Sequence, residues 1–170
     1  MAQIRDERPS DAQSVRAVLL SAFGREAEAR LADRLRASGK AEVTLVAEDA
    51  GRVLGYVLFS PISIGRGPQQ ASAYALAPLA VMPAFQRLGV GSALVSAGLQ
   101  RLKESRKSRV LVLGDPKYYS RFGFVAASRF GVRCPFPAPE QAFMAIEIEP
   151  GAFAGCSGVA RYGAEFDDLE

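Results

Sequence analysis

The chain has 170 residues, 49% of them apolar, and its 21 Lys and Arg against 18 Asp and Glu leave a net charge of +3. That length suits one domain with a substantial core, and no apolar run is long enough to span a bilayer. With no histidine, and Cys134 and Cys156 as the only thiols, the usual zinc ligand sets and the Ser-His and Cys-His nucleophilic pairs cannot be assembled.

Any chemistry must therefore use Asp, Glu, Tyr, Lys, backbone or water, and no metal is expected. The basic residues are scattered, without the stripe of a nucleic-acid binder, so neither nucleic acid nor membrane is an expected partner. A modest positive excess suits attraction of a phosphorylated small molecule. Met1-Ala2-Gln3-Ile4-Arg5-Asp6-Glu7 has no basic-then-apolar signal pattern, which predicts a cytoplasmic location.

Residues 2–5 read as an edge strand. Pro9-Ser10-Asp11-Ala12-Gln13 announces a helix, with Ser10 and Gln13 as a capping box and Val15, Val18, Leu19 and Ala22 following at helical spacing. A second helix is expected over about residues 25–37, with Leu31 and Leu35 facing the core and Gly39 ending it. Two β-rich runs, 43–48 and 53–59, flank the hairpin signal Asp49-Ala50-Gly51-Arg52, and residues 62–64 can prolong the second past Pro61.

Residues 71–81 form the next strand. After Gly89, the positions Val90, Leu94, Ala97 and Leu102 give a helix one apolar face, and Arg109-Val110-Leu111-Val112-Leu113 is the continuous apolar run of a doubly buried strand. Strand, helix and strand in that order make a right-handed crossover, so residues 76–81 and 110–113 are expected as parallel neighbours. Gly114-Asp115-Pro116 breaks the strand; a short helix over 117–122 ends at Gly123, a short strand starts at Phe124, and residues 142–148 alternate as a strand. The segment 149–170, with Gly151, Gly155, Gly158, Gly163 and an acidic end, shows a preference only for irregular structure.

The most informative stretch is the turn Gln86-Arg87-Leu88-Gly89-Val90-Gly91-Ser92 between a strand and a helix. The first N–H groups of a helix lack intrahelical partners and carry partial positive charge, so an anion is stabilised there. Gly89 and Gly91 let an oxyanion approach closely, and Gln86, Arg87 and Ser92 add side-chain donors. A tight turn with no ligand is the competing reading of the glycines. A dinucleotide fold fits poorly, because the third fingerprint glycine is missing, and no Gly-Lys-Ser/Thr exists for a P-loop.

The order of elements, with Gln86-x-x-Gly89-x-Gly91 opening a helix and Tyr119-Ser120-Arg121-Phe122-Gly123-Phe124 downstream, resembles the GNAT superfamily of acetyl-coenzyme A-dependent N-acetyltransferases. The likeness spans about residues 2–148. Leu113-Gly114-Asp115-Pro116 and Arg133-Cys134-Pro135 look most like the bacterial YhbS-like branch of predicted acetyltransferases, whose members also end in a glycine-containing tail. The resemblance implies one α/β (α+β) acetyltransferase domain over 1–170, with a core over about 2–148 and a tail over 149–170. Its sheet would be mixed and mostly antiparallel, with helices on both faces and a central splayed parallel strand pair opening near Ala80.

It also implies that acetyl-CoA is the co-substrate. Gln86, Arg87, Leu88, Gly89, Val90 and Gly91 would surround the pyrophosphate through backbone N–H groups, with Ser92 following, while Leu79, Ala80 and Val81 would line the pantetheine arm. Many members carry Asn where this chain has Gly114-Asp115-Pro116; Asp115 is a candidate to bond the pantetheine or the amine, and equally to cap the short helix.

Acetyl transfer needs a neutral amine, an oxyanion site and an acid for the departing thiolate. Backbone N–H groups at Leu79 or Val81 can serve the oxyanion, and Tyr119, protonated at neutral pH, is the general-acid candidate. Tyr118 reads instead as a packing residue. Glu28 is the candidate base, with Glu26, Asp115, Glu140 and a water chain as alternatives. Phe130, Phe136 and Phe143 either wall an acceptor pocket or pack the core. The acceptor is a small-molecule or peptide amine, the chain is a monomer or homodimer, and a non-catalytic acyl-CoA-binding sensor or interaction module is the competing function.

Overall fold

A computed structural model describes residues 2–169. Its strands and helices are β1 (Gln3–Asp6), α1 (Ala12–Phe23), α2 (Ala27–Ala37), β2 (Val43–Asp49), β3 (Arg52–Ile64), β4 (Ala71–Val81), α3 (Val90–Glu104), β5 (Arg109–Leu113), α4 (Pro116–Tyr119), β6 (Val125–Ala126), β7 (Val132–Arg133), β8 (Phe143–Glu147) and β9 (Gly158–Arg161). The fold is mixed α/β and mostly antiparallel; β4–β5 and the short β7–β9 are parallel pairs. The chain divides into two compact units, the first ending at Ser60 and resuming over Ala77–Arg101 and from Ala164 onward, the second comprising Pro61–Leu76 and Leu102–Gly163.

In the first unit, β1 pairs with β2 (Gln3↔Glu48 to Asp6↔Leu45), and β2 pairs with β3 (Val43↔Phe59 to Asp49↔Arg52). Both central residues of the β2–β3 turn, Ala50 (φ 50°) and Gly51 (φ 78°), are left-handed, which matches the twist of a two-residue hairpin. The register shifts after Ala47↔Gly55 to Glu48↔Val53, leaving Leu54 as an extra residue, a β-bulge.

Val15, Val18 and Leu19 of α1, and Leu31, Ala32 and Leu35 of α2, are buried as their spacing predicts, and Gly24 (φ 68°) ends α1. The expected cap is displaced by a residue. Ser10 lies in a 3-10 turn, Pro9–Asp11, and it is the Asp11 carboxylate that accepts the Arg8 N–H (2.6 Å). Arg5 also holds Asp11: its Nη1 and Nη2 donate to both Asp11 oxygens (2.8 and 2.9 Å) while its Nε bonds Glu48. A second such clamp joins Arg36 to Glu7 (2.6 Å) and to the hydroxyl of the fully buried Tyr56 (3.1 Å).

The end of the chain departs from the irregular structure expected of it. A 3-10 helix, Ala164–Leu169, packs on α2, burying Phe166 and pairing Glu165 with Lys40 (3.1 Å) and Asp168 with Arg34 (2.8 Å). In its six residues only Phe166 is buried, among three acids, too short a segment for periodicity to reveal.

In the second unit, β4 pairs with β5 in parallel at Tyr74↔Val110 and Ala75↔Leu111. That register lies before residues 76–81, where the crossover was expected; further along β4, Pro78 has no N–H to offer a ladder. β5 continues antiparallel to β8 (Arg109↔Glu147 to Leu113↔Phe143), and β8 to β6. β9 is the other correction to the tail: it pairs with the end of β3 (Ser63↔Arg161, Ile64↔Ala160) and with β7. Gly158 at φ 125°, with space for a Cβ only 3.1 Å from Gly65 Cα, lets the two backbones come this close, so the glycine that hid the strand from composition also makes it possible. Phe143 is buried, while the half-buried Phe130 stacks on Phe153 (4.6 Å between centroids) and the half-buried Phe136 packs on Tyr162 (4.9 Å).

Phe166→Ala is expected to cost about 3 kcal/mol in denaturant unfolding, as for other buried aromatics. The Arg5 hydrogen bonds hold the Asp11 pKa down to about 2, from an ordinary 3.8. A depressed carboxylate adds stability above its unfolded pKa and loses it as pH falls toward the folded one. Stability should therefore drop between pH 4 and 2, and Asp11→Asn should flatten that part of the unfolding profile.

Candidate active site

The residues singled out in the sequence fall into both units: Leu79 to Ser92 and Glu28 in the first, Asp115 and Tyr119 in the second.

In the first unit the end of β4 is tied down on its backbone side by Met82, whose N–H donates to the carbonyl of the bulged Leu54 (2.8 Å). The 3-10 turn Pro83–Phe85 comes next, and Gln86 then reaches back, its Nε2 donating to Val81 O (3.0 Å). Gln86 thus serves the turn's own structure. Arg87 (φ 65°) and Gly89 (φ 87°) are both left-handed, so the chain reverses twice within three residues, a path that can aim consecutive N–H groups at one anion. The left-handed region costs a residue with Cβ on the order of 1 kcal/mol, which makes Arg87 a residue held by its surroundings. Leu88 between them is 71% exposed.

Val90 opens α3, and the Ala93 N–H donates to Gly89 O (3.0 Å) as the helix begins. The preceding N–H groups of the first turn have no intrahelical acceptor, by the geometry of any α-helix. Val90 and Leu94 face inward, onto Gly55 of β3. A Cβ at Gly55 would lie 2.9 Å from Leu94 Cδ1, 3.1 Å from Val90 Cγ1 and 3.2 Å from Ala80 O. Gly55 therefore sets how closely the start of α3 approaches β3 and the end of β4. Sequence reading did not single it out, although glycine inside a run of strong strand formers is the known sign of such an approach.

Glu28, in the first turn of α2, is 5% exposed, and both its oxygens accept from Arg25: Oε1 from Nε (2.9 Å) and Oε2 from Nη2 (2.5 Å). Those hydrogen bonds raise the Arg25 pKa. Glu26 is exposed and paired with Arg16 (2.8 Å).

In the second unit Asp115 is the N-cap of α4: its Oδ1 accepts the Lys117 N–H (2.9 Å), with Pro116 at the first helical position. Tyr119 ends α4 at 9% exposed, with edge contacts to Tyr118 (5.0 Å) and Phe124 (5.7 Å). Burial, with a smaller contribution from Tyr118, pushes its phenol pKa above the ordinary 10. Tyr119 is therefore a neutral hydroxyl, a proton donor, across the physiological range. Tyr118 is more open and carries the Arg121 guanidinium on its face (4.4 Å). Gly123 (φ 100°) ends this helical segment, as the sequence indicated.

The first unit thus carries a strand end that feeds a doubly left-handed turn and a helix N-terminus, and the second a buried neutral tyrosine; the element order is that of a mixed α/β protein. The model of the acetyltransferase (GNAT) family matches residues 5–124. The "Uncharacterized N-acetyltransferase YhbS" of Escherichia coli (strain K12) is 39% identical over 166 residues, 96% of this chain and 98% of that protein. YjhQ of the same organism, also called an uncharacterized N-acetyltransferase, is 36% identical over 78% of this chain and 75% of its own. A crystal structure of E. coli YhbS in complex with CoA superposes with a TM-score of 0.90, covering 98% of this chain and 92% of that one. A GNAT acetyltransferase from Brucella melitensis in complex with acetyl-CoA is 34% identical, with a TM-score of 0.82 and coverage of 98% and 99%. The chain belongs to the GNAT acetyltransferase family.

Gly55→Val is expected to destabilise the chain by about 1–3 kcal/mol, the usual range for overpacking. Denaturant unfolding checks it; an unchanged midpoint would show that α3 can move away from β3.

Proposed function

We propose that this protein moves the acetyl group of acetyl-CoA to an amine by direct attack in a ternary complex. The observation that carries the reading is the 0.90 TM-score likeness to CoA-bound YhbS, which spans 98% of this chain. In this reading the N–H groups from Gln86 to Gly91 receive the pyrophosphate, Ser92 adds a donor at the helix start, and Leu79, Ala80 and Val81 line the pantetheine. The helix N-terminus and the left-handed residues Arg87 and Gly89 support that assignment. Asp115 acts chiefly through its cap, which holds the helix that carries Tyr119.

The amine nitrogen attacks the thioester carbonyl carbon, and the resulting oxyanion is met by backbone N–H groups at Leu79 or Val81. Collapse breaks the C–S bond. The thiolate takes the proton of the Tyr119 hydroxyl, the attacking nitrogen gives up a proton, and a proton from solvent restores the phenol, leaving an amide and CoA. Glu28 is the proposed proton acceptor. Because both of its oxygens already accept from Arg25, taking a proton there requires one of those bonds to loosen, and a water chain is the competing route. The acceptor is a small-molecule or peptide amine, no step is routed through a metal, and the whole chain serves as one acetyltransferase domain in the cytoplasm. Among the described residues no helix is long and apolar enough to cross a membrane.

Free-thiol release from acetyl-CoA across a panel of amines, with product masses, tests the reading. Turnover with at least one amine is expected; thermal protection by acetyl-CoA without any amide product would make the chain a sensor instead. With an amine in hand, Tyr119→Phe should lower kcat about a hundredfold with little change in KM for acetyl-CoA, the scale of a lost general acid. Full activity in that variant would remove Tyr119 from the mechanism.

A further inference from the structure

Gly114 comes directly after β5 and leads into the turn before α4. Its N–H donates to Ala142 O (2.9 Å), which fixes this point of the backbone against the start of β8. A Cβ built on Gly114 would stand 2.5 Å from Cε2 of Tyr119, 3.1 Å from Cδ2 and 3.5 Å from Cζ. The ring therefore occupies the space a side chain at 114 would need.

Neither partner can easily retreat. Tyr119 is 9% exposed and is met by the Tyr118 and Phe124 rings, so its aromatic plane is confined. The backbone between the two residues is a single closed turn: Asp115 O accepts the N–H of Tyr119 (3.1 Å), Asp115 Oδ1 accepts that of Lys117 (2.9 Å), and Pro116 fixes its own φ. A methyl group at 114 must push the ring, and a phenol oxygen at the far end of that ring moves with it.

We infer that Gly114 is a positioning residue for Tyr119: its missing side chain lets the phenol ring lie against the end of β5, and this contact sets where the hydroxyl is held. The inference rests on the reading of Tyr119 as the acid that protonates the departing thiolate. Its consequence is kinetic. Proton transfer needs the donor within hydrogen-bond reach of the sulfur, and a shift of about 1 Å in such a group can cost up to a hundredfold in rate.

The test combines Gly114→Ala with Tyr119→Phe and reads kcat and KM for acetyl-CoA with the amine that releases most thiol in the panel. Gly114→Ala is expected to lower kcat about tenfold in the native background, and less than about twofold where Tyr119→Phe has already removed the hydroxyl. Equal losses in both backgrounds, or full kcat for Gly114→Ala, would overturn the positioning role. If Tyr119→Phe itself is fully active, it is the acid assignment that fails. Two measurements need no acceptor. In protein labelled with 3-fluorotyrosine, the 19F resonance that Tyr119→Phe deletes should move in Gly114→Ala more than the other tyrosine signals. Gly114→Ala should also lower the melting temperature with Tyr119 present and not with Tyr119→Ala, where the ring is gone. A stationary resonance, or the same melting loss in both backgrounds, would show that the methyl group does not meet the ring.

Discussion

At Gly55 a side chain would collide with Leu94, Val90 and the carbonyl of Ala80, so the first turn of α3 can lie against β3 only because that residue has none. This close approach sets the geometry where β4 passes into α3. The Leu54 bulge beside it presents a carbonyl to the Met82 N–H, fixing where β4 ends. Gln86 then returns to Val81, and Arg87 and Gly89 take left-handed conformations to reach the start of the helix. Each bond narrows the freedom of the next, and the first N–H groups of the helix arrive at a defined place.

The second unit is organised by a similar substitution of space for contact. Gly114 leaves room for the Tyr119 ring, Asp115 caps the helix that carries it, and Phe124 closes one edge. Burial raises the phenol pKa, so the environment that positions the hydroxyl also keeps it protonated. A chain without histidine thereby holds a buried phenol that stays neutral through packing alone.

Electrostatics divide the first unit's ion pairs into two kinds. Glu26 with Arg16 and Arg30 is exposed on both sides and contributes little. Asp11 under Arg5, and Glu7 under Arg36, have carboxylates only 8% exposed and bonds that cross from one element to another. Removing either guanidinium would leave a charge in a poorly solvated place, which is why these pairs constrain the arrangement of β1, α2 and β3 more than their number suggests.

Elements that depend on local pattern were legible in the amino-acid order alone. The apolar spacing of α1, α2 and α3, the Asp49-Ala50-Gly51-Arg52 hairpin, the run of β5, the Pro116 start and Gly123 end around α4, and the turn from Gln86 to Ser92 could all be read there, because periodicity, capping and turn chemistry act within a few residues. Folding decided what depends on residues far apart. It put Asp11 rather than Ser10 at the start of α1, with Arg5 on its carboxylate, shifted the β4–β5 register to Tyr74 and Ala75, drew β9 and Phe166 out of a glycine-rich tail, and set Leu94 and the Tyr119 ring against Gly55 and Gly114. The last two show the reason most plainly: a glycine is informative through what fills the space beside it, and Leu94 and the Tyr119 ring come to those places only when the chain has folded.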